Sequence, residues 1–519
     1  MKKLVLALTA VAAFTGSANA ADLPGRYTKA PATVAPLYNW TGFYIFGGAG
    51  GGLWAADSNL ETFPGAVAIS RDQRMGGSGW FGTVGIGHDW QFNGPWVAGI
   101  FGDGQFGDIR GSLVDVAAGE GREKLRTSYA AGVRLGYLVA PNVLSYVNGG
   151  YSGSEWSGSS LSTLETPGGP TRFTTPSFRR DGWFIGGGVE NNLNIFGISA
   201  PGWFMKTEYR SAFYDRETLP ETFAPPFGAP GGPTGRAITF KPWVQTISTS
   251  LVYRFNGGGT GSAMAADLPV RYSKAPVVPA YNWTGFHIFG GAGGGLWNAD
   301  SNVQSTGVAG FFNFGPAGTA FTRDQRLGGS GWFGTVGIGY DWQFNGPWVA
   351  GIFGDGQFGD IRGSLIDPAF VAEGREKLRT SYAAGVRLGY LVAPQVLSYV
   401  NAGYSGSEWS GTTQAFAIPP FAALTTTPSF RRDGWFIGGG VENNLNIFGI
   451  TAPGWFMKTE YRSAFYDRIA LPTTFVAGNF LGGVGLTGEA VTFKPWVQTI
   501  STSLVYRFNW GGGPIVAKY

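Results

Sequence analysis

The sequence predicts an all-β protein, a transmembrane antiparallel up-and-down β-barrel made as two homologous units of about eight strands each. Three observations predict it. Long blocks of the chain occur twice, the apolar residues inside those blocks alternate with a period of two, and the connections sort into short constant turns and longer variable loops. The same observations leave an alternative architecture, one merged barrel of about sixteen strands.

The repeat is close to verbatim. Gly79–Asp103, GWFGTVGIGHDWQFNGPWVAGIFGD, returns as Gly331–Asp355 with His88 replaced by Tyr340. Asn39–Phe43 recurs at Asn282–Phe286, Tyr129–Tyr137 at Tyr382–Tyr390, and Lys241–Asn256 at Lys494–Asn509. Even ADLPGRYTKAP from Ala21 is echoed by ADLPVRYSKAP from Ala266. A period this long marks a doubled domain, not a solenoid. The expected organisation is a signal peptide over residues 1–20 and a first barrel unit over 21–256. A linker with the repeated N-terminal segment then covers 257–281, a second unit 282–509 and a C-terminal extension 510–519.

At the N-terminus, Lys2 and Lys3 precede an apolar core, Leu4–Phe14, and the small-residue site Ala18-Asn19-Ala20, which is the pattern of a cleaved secretory signal. The chain has no cysteine, so neither a lipid-anchored start nor a disulfide scaffold is available. No later run approaches the roughly 18 apolar residues of a membrane helix. Aromatic residues are 15% and charged residues only 13%, a composition unlike a disordered chain and poor in charge for a soluble one. A net charge of +4 is too small to argue for nucleic acid.

Along the chain, Trp80, Val84, Ile86, His88, Trp90 and Phe92 fall on one strand face, and Thr83, Gly85, Gly87, Asp89 and Gln91 on the other. Asn93-Gly94-Pro95 turns into the next strand. The fourth strand sets Tyr129, Ala131, Val133, Leu135, Tyr137 and Val139 against Arg126, Ser128, Ala130, Gly132, Arg134 and Gly136. The sixth carries Glu190 beyond Gly186 and Gly188, and the seventh lines up Lys206, Glu208 and Arg210. Where the two copies differ most, at Asn59–Ser70, Val114–Gly119, Ser159–Thr175 and Glu217–Ala237 and their counterparts, the differences sit at alternate connections. Outer-membrane barrels alternate short periplasmic turns with longer extracellular loops in this way.

The candidate lumen charges are therefore Asp89, Asp103, Arg126, Arg134, Glu190, Lys206, Glu208 and Arg210, with Asp341, Asp355, Arg379, Arg387, Glu442, Lys458, Glu460 and Arg462 in the second copy. They read as a salt-bridge network that holds a narrow barrel together, the alternative being a conduction or binding path. Trp90, Phe92, Trp96, Tyr253 and Phe255, and Trp342, Phe344, Trp348, Tyr506 and Phe508, read as interfacial aromatics. His88, exchanged for Tyr340, reads as interfacial too, and His287, which stands where the first copy has Tyr44, is read likewise.

Chemistry is hard to assemble from these residues. Two histidines and no cysteine give no material for the usual transition-metal sites or for Ser-His-Asp and Cys-His catalysis. Gly47–Gly52 lacks the Gly-Lys-Ser/Thr of a phosphate loop and reads as glycine packing in the first strand. No enzyme and no cofactor are expected.

The ADLPxRYxKAP segment, the opening strand NWTGFYIFGG (Asn39–Gly48), FMKTEYRSAFYDR (Phe204–Arg216) and the closing YRFN resemble the small outer-membrane proteins of alphaproteobacteria, which include porin-like surface antigens. The resemblance implies an outer-membrane barrel of about eight strands per unit. It also implies roles in envelope integrity and surface antigenicity and, for some members, small-solute or haem interaction. Outer-membrane lipid, the barrel-assembly machinery during insertion, and possible small solutes are the implied partners. The expected function is a structural and surface-display one. Its rivals are a diffusion porin through a merged barrel and a soluble secreted adhesin.

Overall fold

The computed structural model describes residues 38–117, 119–163, 169–193, 200–255, 281–311, 315–445 and 452–508. The signal peptide, nearly all of the linker and the C-terminal extension lie outside the described residues. Among the described residues every regular element is a strand. The long strands of the first half are β1 (Gly42–Ser58), β2 (Gln73–Phe92), β3 (Trp96–Asp115), β4 (Gly119–Ala140), β5 (Val143–Trp156), β6 (Phe178–Asn192), β7 (Trp203–Tyr214) and β8 (Pro233–Arg254). Those of the second half are β9 (Gly285–Ser301), β10 (Gln325–Phe344), β11 (Trp348–Asp367), β12 (Ala372–Ala393), β13 (Val396–Trp409), β14 (Phe430–Asn444), β15 (Trp455–Tyr466) and β16 (Leu486–Phe508).

Each set pairs in sequence order, antiparallel throughout, and returns on itself. Tyr44 of β1 faces Gly87 of β2 on one side and Arg254 of β8 on the other. In the second half Ile288 of β9 faces Ile338 of β10 and Tyr506 of β16. A ladder between the halves is reduced to one pair, Met75 with Leu327. A sixteen-stranded ring would need β1 to pair with β16; instead β1 takes β8 and β9 takes β16. Short strands such as Leu60–Thr62 and Glu217–Phe223 extend the wall of the first ring at its loop-bearing end by pairing with β8.

The turn chemistry explains why β2 folds back on β3. Asn93 and Gly94 sit at φ 45° and 77°, in the left-handed region that asparagine and glycine reach most cheaply, and Asn345 and Gly346 repeat this at 45° and 76°. Period-two alternation then sends one face of every strand outward. Those outward faces carry exposed Trp80, Val84, Ile86 and Trp90, while the inward faces carry Asp89 and Glu190 with no exposure at all. This is the reverse of a water-soluble protein, where large apolar patches are buried and charges face water. From Trp80 to Trp90 a tilted strand climbs about 25 Å, the height of a lipid-facing band.

The loop-bearing end of each lumen is closed by aromatic packing. In the first ring Trp54 and Trp156 meet edge-on at 5.7 Å, Phe240 lies 5.4 and 5.1 Å from them, and Phe178 stacks on Trp156 at 5.9 Å. Room for Trp54 comes from glycine. A Cβ on Gly77 would fall 2.2 Å from its indole and one on Gly111 2.4 Å away. The indole N–H of Trp54 donates to the Ile109 carbonyl at 3.2 Å, so its one polar group is satisfied.

Candidate functional site

The candidate site is the lumen between that aromatic layer and the short-turn end, because the buried charge is concentrated there. Inward positions of β2, β4, β6 and β8 bring Asp89, Arg134, Glu190 and Arg254 together. Arg134 donates from Nε to Asp89 at 2.8 Å and from Nη1 to Glu190 at 3.1 Å. Arg254 completes the ring, donating from Nε to Glu190 at 2.7 Å and from Nη2 to Asp89 at 2.8 Å. Two guanidiniums thus satisfy two carboxylates in a closed square. Its floor is Trp40, fully buried ahead of β1, with the Arg254 guanidinium 4.3 Å over its ring and its carbonyl accepting from Arg254 Nη1 at 3.3 Å.

A second cluster lies one layer further towards the loops. Arg210 of β7 donates from Nη1 to Asp103 of β3 at 2.8 Å and from Nη2 to Glu208 at 2.9 Å. Glu208 also accepts from Tyr146 at 2.8 Å and Asn148 at 3.0 Å, and Lys206 stands 3.5 Å away with its ammonium over the Phe46 ring at 3.4 Å. The four acids Asp89, Asp103, Glu190 and Glu208 balance the four bases Arg134, Lys206, Arg210 and Arg254. The second ring repeats both clusters, with Arg387 and Arg507 on Asp341 and Glu442, and Lys458 and Arg462 on Glu460 and Asp355.

Two of the residues read as lumen charges are not there. Arg126 is exposed, and so is its counterpart Arg379. The register explains it: β4 pairs Leu125 with Trp156 and Thr127 with the adjacent Glu155 of β5, so Arg126 is the extra residue of a bulge. A bulge breaks the period of two that placed it inside. His287 is a further correction, being buried in the lumen beside Asp341 at 3.6 Å, where the first ring has Tyr44 under Arg134. It faces inward because β9 alternates in register with Phe286 and Ile288, which face out.

Sequence reading missed Arg254, Arg507 and Trp40. A signal for the arginines is present in the sequence, since Tyr253 and Phe255 read as interfacial aromatics on the lipid face and the residue between them must face in. The aromatics themselves gather at the short-turn end. Trp96 packs on Tyr137 at 5.3 Å, Tyr253 on Trp203 at 5.2 Å and on Phe255 at 5.3 Å, while Trp90 and Phe92 remain exposed. Trp342, Phe344, Trp348, Tyr506 and Phe508 take the matching places in the second ring, with Trp348 5.3 Å from Tyr390 and Tyr506 4.9 Å from Phe508. His88 stands among them, 4.5 Å from Phe43 and 4.4 Å from Trp90.

Beyond the aromatic layer, on the loop side of the apolar band, each ring buries further carboxyls. Glu123 accepts from Ser159 Oγ at 2.9 Å, and burial pushes its carboxyl up to about 8. Arg236 in the first ring bridges Asp115 at 2.7 Å and Glu221 at 3.2 Å. The second ring has Glu489 in place of Arg236 and Thr473 in place of Glu221, opposite Asp367. Among the described residues no cation reaches Asp367 or Glu489, and burial beside each other holds both carboxyls well above the usual range.

No family model matches the chain. The chain is homologous to the 31 kDa outer-membrane immunogenic protein of Brucella melitensis, with 29% identity over 215 residues covering 38% of this chain and 79% of that protein. The same protein of Brucella suis matches equally, at 29% over 215 residues. Among solved structures, a Pseudomonas aeruginosa FadL homologue aligns over 90% of this chain and 91% of its own, with a TM-score of 0.25 and 12% identity. Neisserial surface protein A aligns over 43% of this chain and 98% of its own, with a TM-score of 0.21 and 11% identity.

Proposed function

We propose that this outer-membrane β-barrel protein works as a surface-display and envelope element made of two sealed barrels, and not as a channel. One observation carries the reading: successive layers of buried side chains cross the lumen. Trp40 floors it, a charge-balanced network of buried ion pairs spans its middle, and the Trp54–Trp156–Phe240 layer closes the loop side. About eight strands leave an interior that side chains can fill, so no water-filled path need remain. What varies between the two copies is then what the barrels hold out, the loops. This reading assigns no reaction to the protein.

Homology to a protein described as an outer-membrane immunogen supports display. The exposed apolar belt supports lipid contact over a soluble adhesin. Single-channel recording of the refolded full-length protein in a planar bilayer tests the reading. We expect no stable steps from protein that is folded by its gel mobility. Stable, large steps would overturn it and favour a diffusion porin.

A further inference from the structure

The outer wall of the first ring is not lipid-facing everywhere. On the outward face of β1, Phe43 and Ile45 are 57% and 44% exposed, yet Leu53 and Ala55 on the same face are 0% and 4% exposed. What covers them is the matching wall of the second ring, where Leu296 is likewise buried outward. The contact runs along the loop-bearing ends of β1 to β4 and β9 to β12, where Arg323 reaches the Glu120 carbonyl and Arg375 the Asp72 carbonyl, and it stops short of Trp80, which is 79% exposed.

The polar contacts of this seam come in mirrored pairs. Arg74 donates from its backbone N to Ser364 Oγ at 2.8 Å and from Nη1 to Ser330 Oγ at 2.7 Å. Arg326 donates from its backbone N to Ser112 Oγ at 2.8 Å and from Nη1 to Ser78 Oγ at 2.7 Å. Each arginine is aimed by an aspartate on its own ring, Asp57 at 2.7 Å and Asp300 at 2.8 Å. The one ladder pair between the rings, Met75 with Leu327, joins positions that are each other's equivalents in the repeat. Residue i of one ring meets j of the other and j meets i, which defines an isologous, self-complementary surface. A few bonds break the mirror: Asn298 Nδ2 donates to the Gly77 carbonyl at 2.7 Å, where the first ring offers Ala55, and the Arg71 backbone N donates to the Ala417 carbonyl at 2.8 Å.

We infer that this wall is a self-recognition surface whose partner is a second copy of the same barrel unit. The chain is a homodimer with its two halves tethered, and a unit freed from its neighbour pairs with another copy through the same residues. A non-specific apposition forced by the tether would have no reason to repeat the serine and aspartate bonds of Arg74 at Arg326. The inference holds whether or not the lumens conduct.

A protease site inserted after residue 257 in the full-length protein lets the tether be cut once both barrels have folded. We expect the cut halves to stay together through size exclusion in mild detergent, and the charge reversals Arg74→Glu and Arg326→Glu together to abolish that association. The chain lacks cysteine, so Met75→Cys with Leu327→Cys should close a disulfide within uncut chains. Met75→Cys alone, cut and left to exchange, should give disulfide-linked pairs of first units. Halves that separate on cutting, while each keeps the heat-modifiable mobility of a folded barrel, overturn the inference. So does association that survives the double charge reversal, or a cut Met75→Cys protein that yields no first-unit pairs.

Discussion

Arg254 holds two buried carboxylates at once, and nothing else in the first ring can take its place. Replacing it by methionine leaves Asp89 and Glu190 sharing Arg134 alone, with one negative charge uncompensated inside the wall. Breaking a buried pair this way costs about 3–5 kcal/mol. We expect a loss of that size for Arg254→Met in urea unfolding from detergent, with Arg507→Met behaving alike in the second ring. Gly77 makes a different point. Its Cβ would strike the Trp54 indole, so Gly77→Ala should cost about 1–3 kcal/mol, the range for overpacking. Combined with Trp54→Phe the two effects should fall short of their sum, which a double-mutant cycle reads directly. Arg134 and Glu190 were legible as lumen residues because they sit in unbroken alternation. Arg126 was not, because one inserted residue reverses the face of everything before it and no local feature of the sequence marks the bulge.

The loop-side ends of the rings differ as elements although their walls match. In the first, the single Arg236 lies between Asp115 and Glu221, and burial still raises both carboxyls, Glu221 to about 8. In the second, Asp367 and Glu489 face each other without a cation among the described residues, and Glu489 is raised further. The exchange of Arg236 for Glu489 is visible in the sequence, but its meaning is not, since only the pairing of β11 with its neighbours brings Asp367 across. A carboxyl raised in the folded state is protonated there and ionised when unfolded. Its stabilisation is present below the unfolded value, near 4.5 for glutamate, and is lost as pH rises towards the raised folded value. Glu376, raised to about 7 by burial, adds to this in the second ring, as Glu123 does in the first. Raising the pH from 6 to 9 should therefore loosen the loop end of the second ring more than that of the first. Hydrogen exchange at the amides around Thr487–Val491 would report it. Glu489→Arg with Thr473→Glu, which rebuilds the first ring's trio, should remove the difference; protection that falls equally in both rings would reject the assignment.

At the scale of the whole molecule the repeat, the alternation and the loop sorting made the barrel legible, whereas one ring or two was not. Both architectures use the same strands in the same order. They differ only in which strand β1 takes as its second neighbour, and a strand edge carries no side-chain label for that choice. The outward faces decide where the molecule lives. Ile86 is half exposed in the middle of the apolar band, with Thr83 and Asp89 buried on the opposite face. In water, Ile86→Arg would remove an exposed apolar side chain and leave stability unchanged or improved. In a bilayer it sets a cation at the hydrocarbon midplane, which costs a barrel about 2–4 kcal/mol. Refolding into lipid vesicles separates the two cases. We expect Ile86→Arg and its counterpart Ile338→Arg each to lower stability by that amount. Arg110→Ala, on the exposed loop-side wall, should leave stability within about 0.5 kcal/mol. If Ile86→Arg proved as neutral as Arg110→Ala, the belt would not be facing lipid. The exposed apolar face would then need a protein partner to cover it.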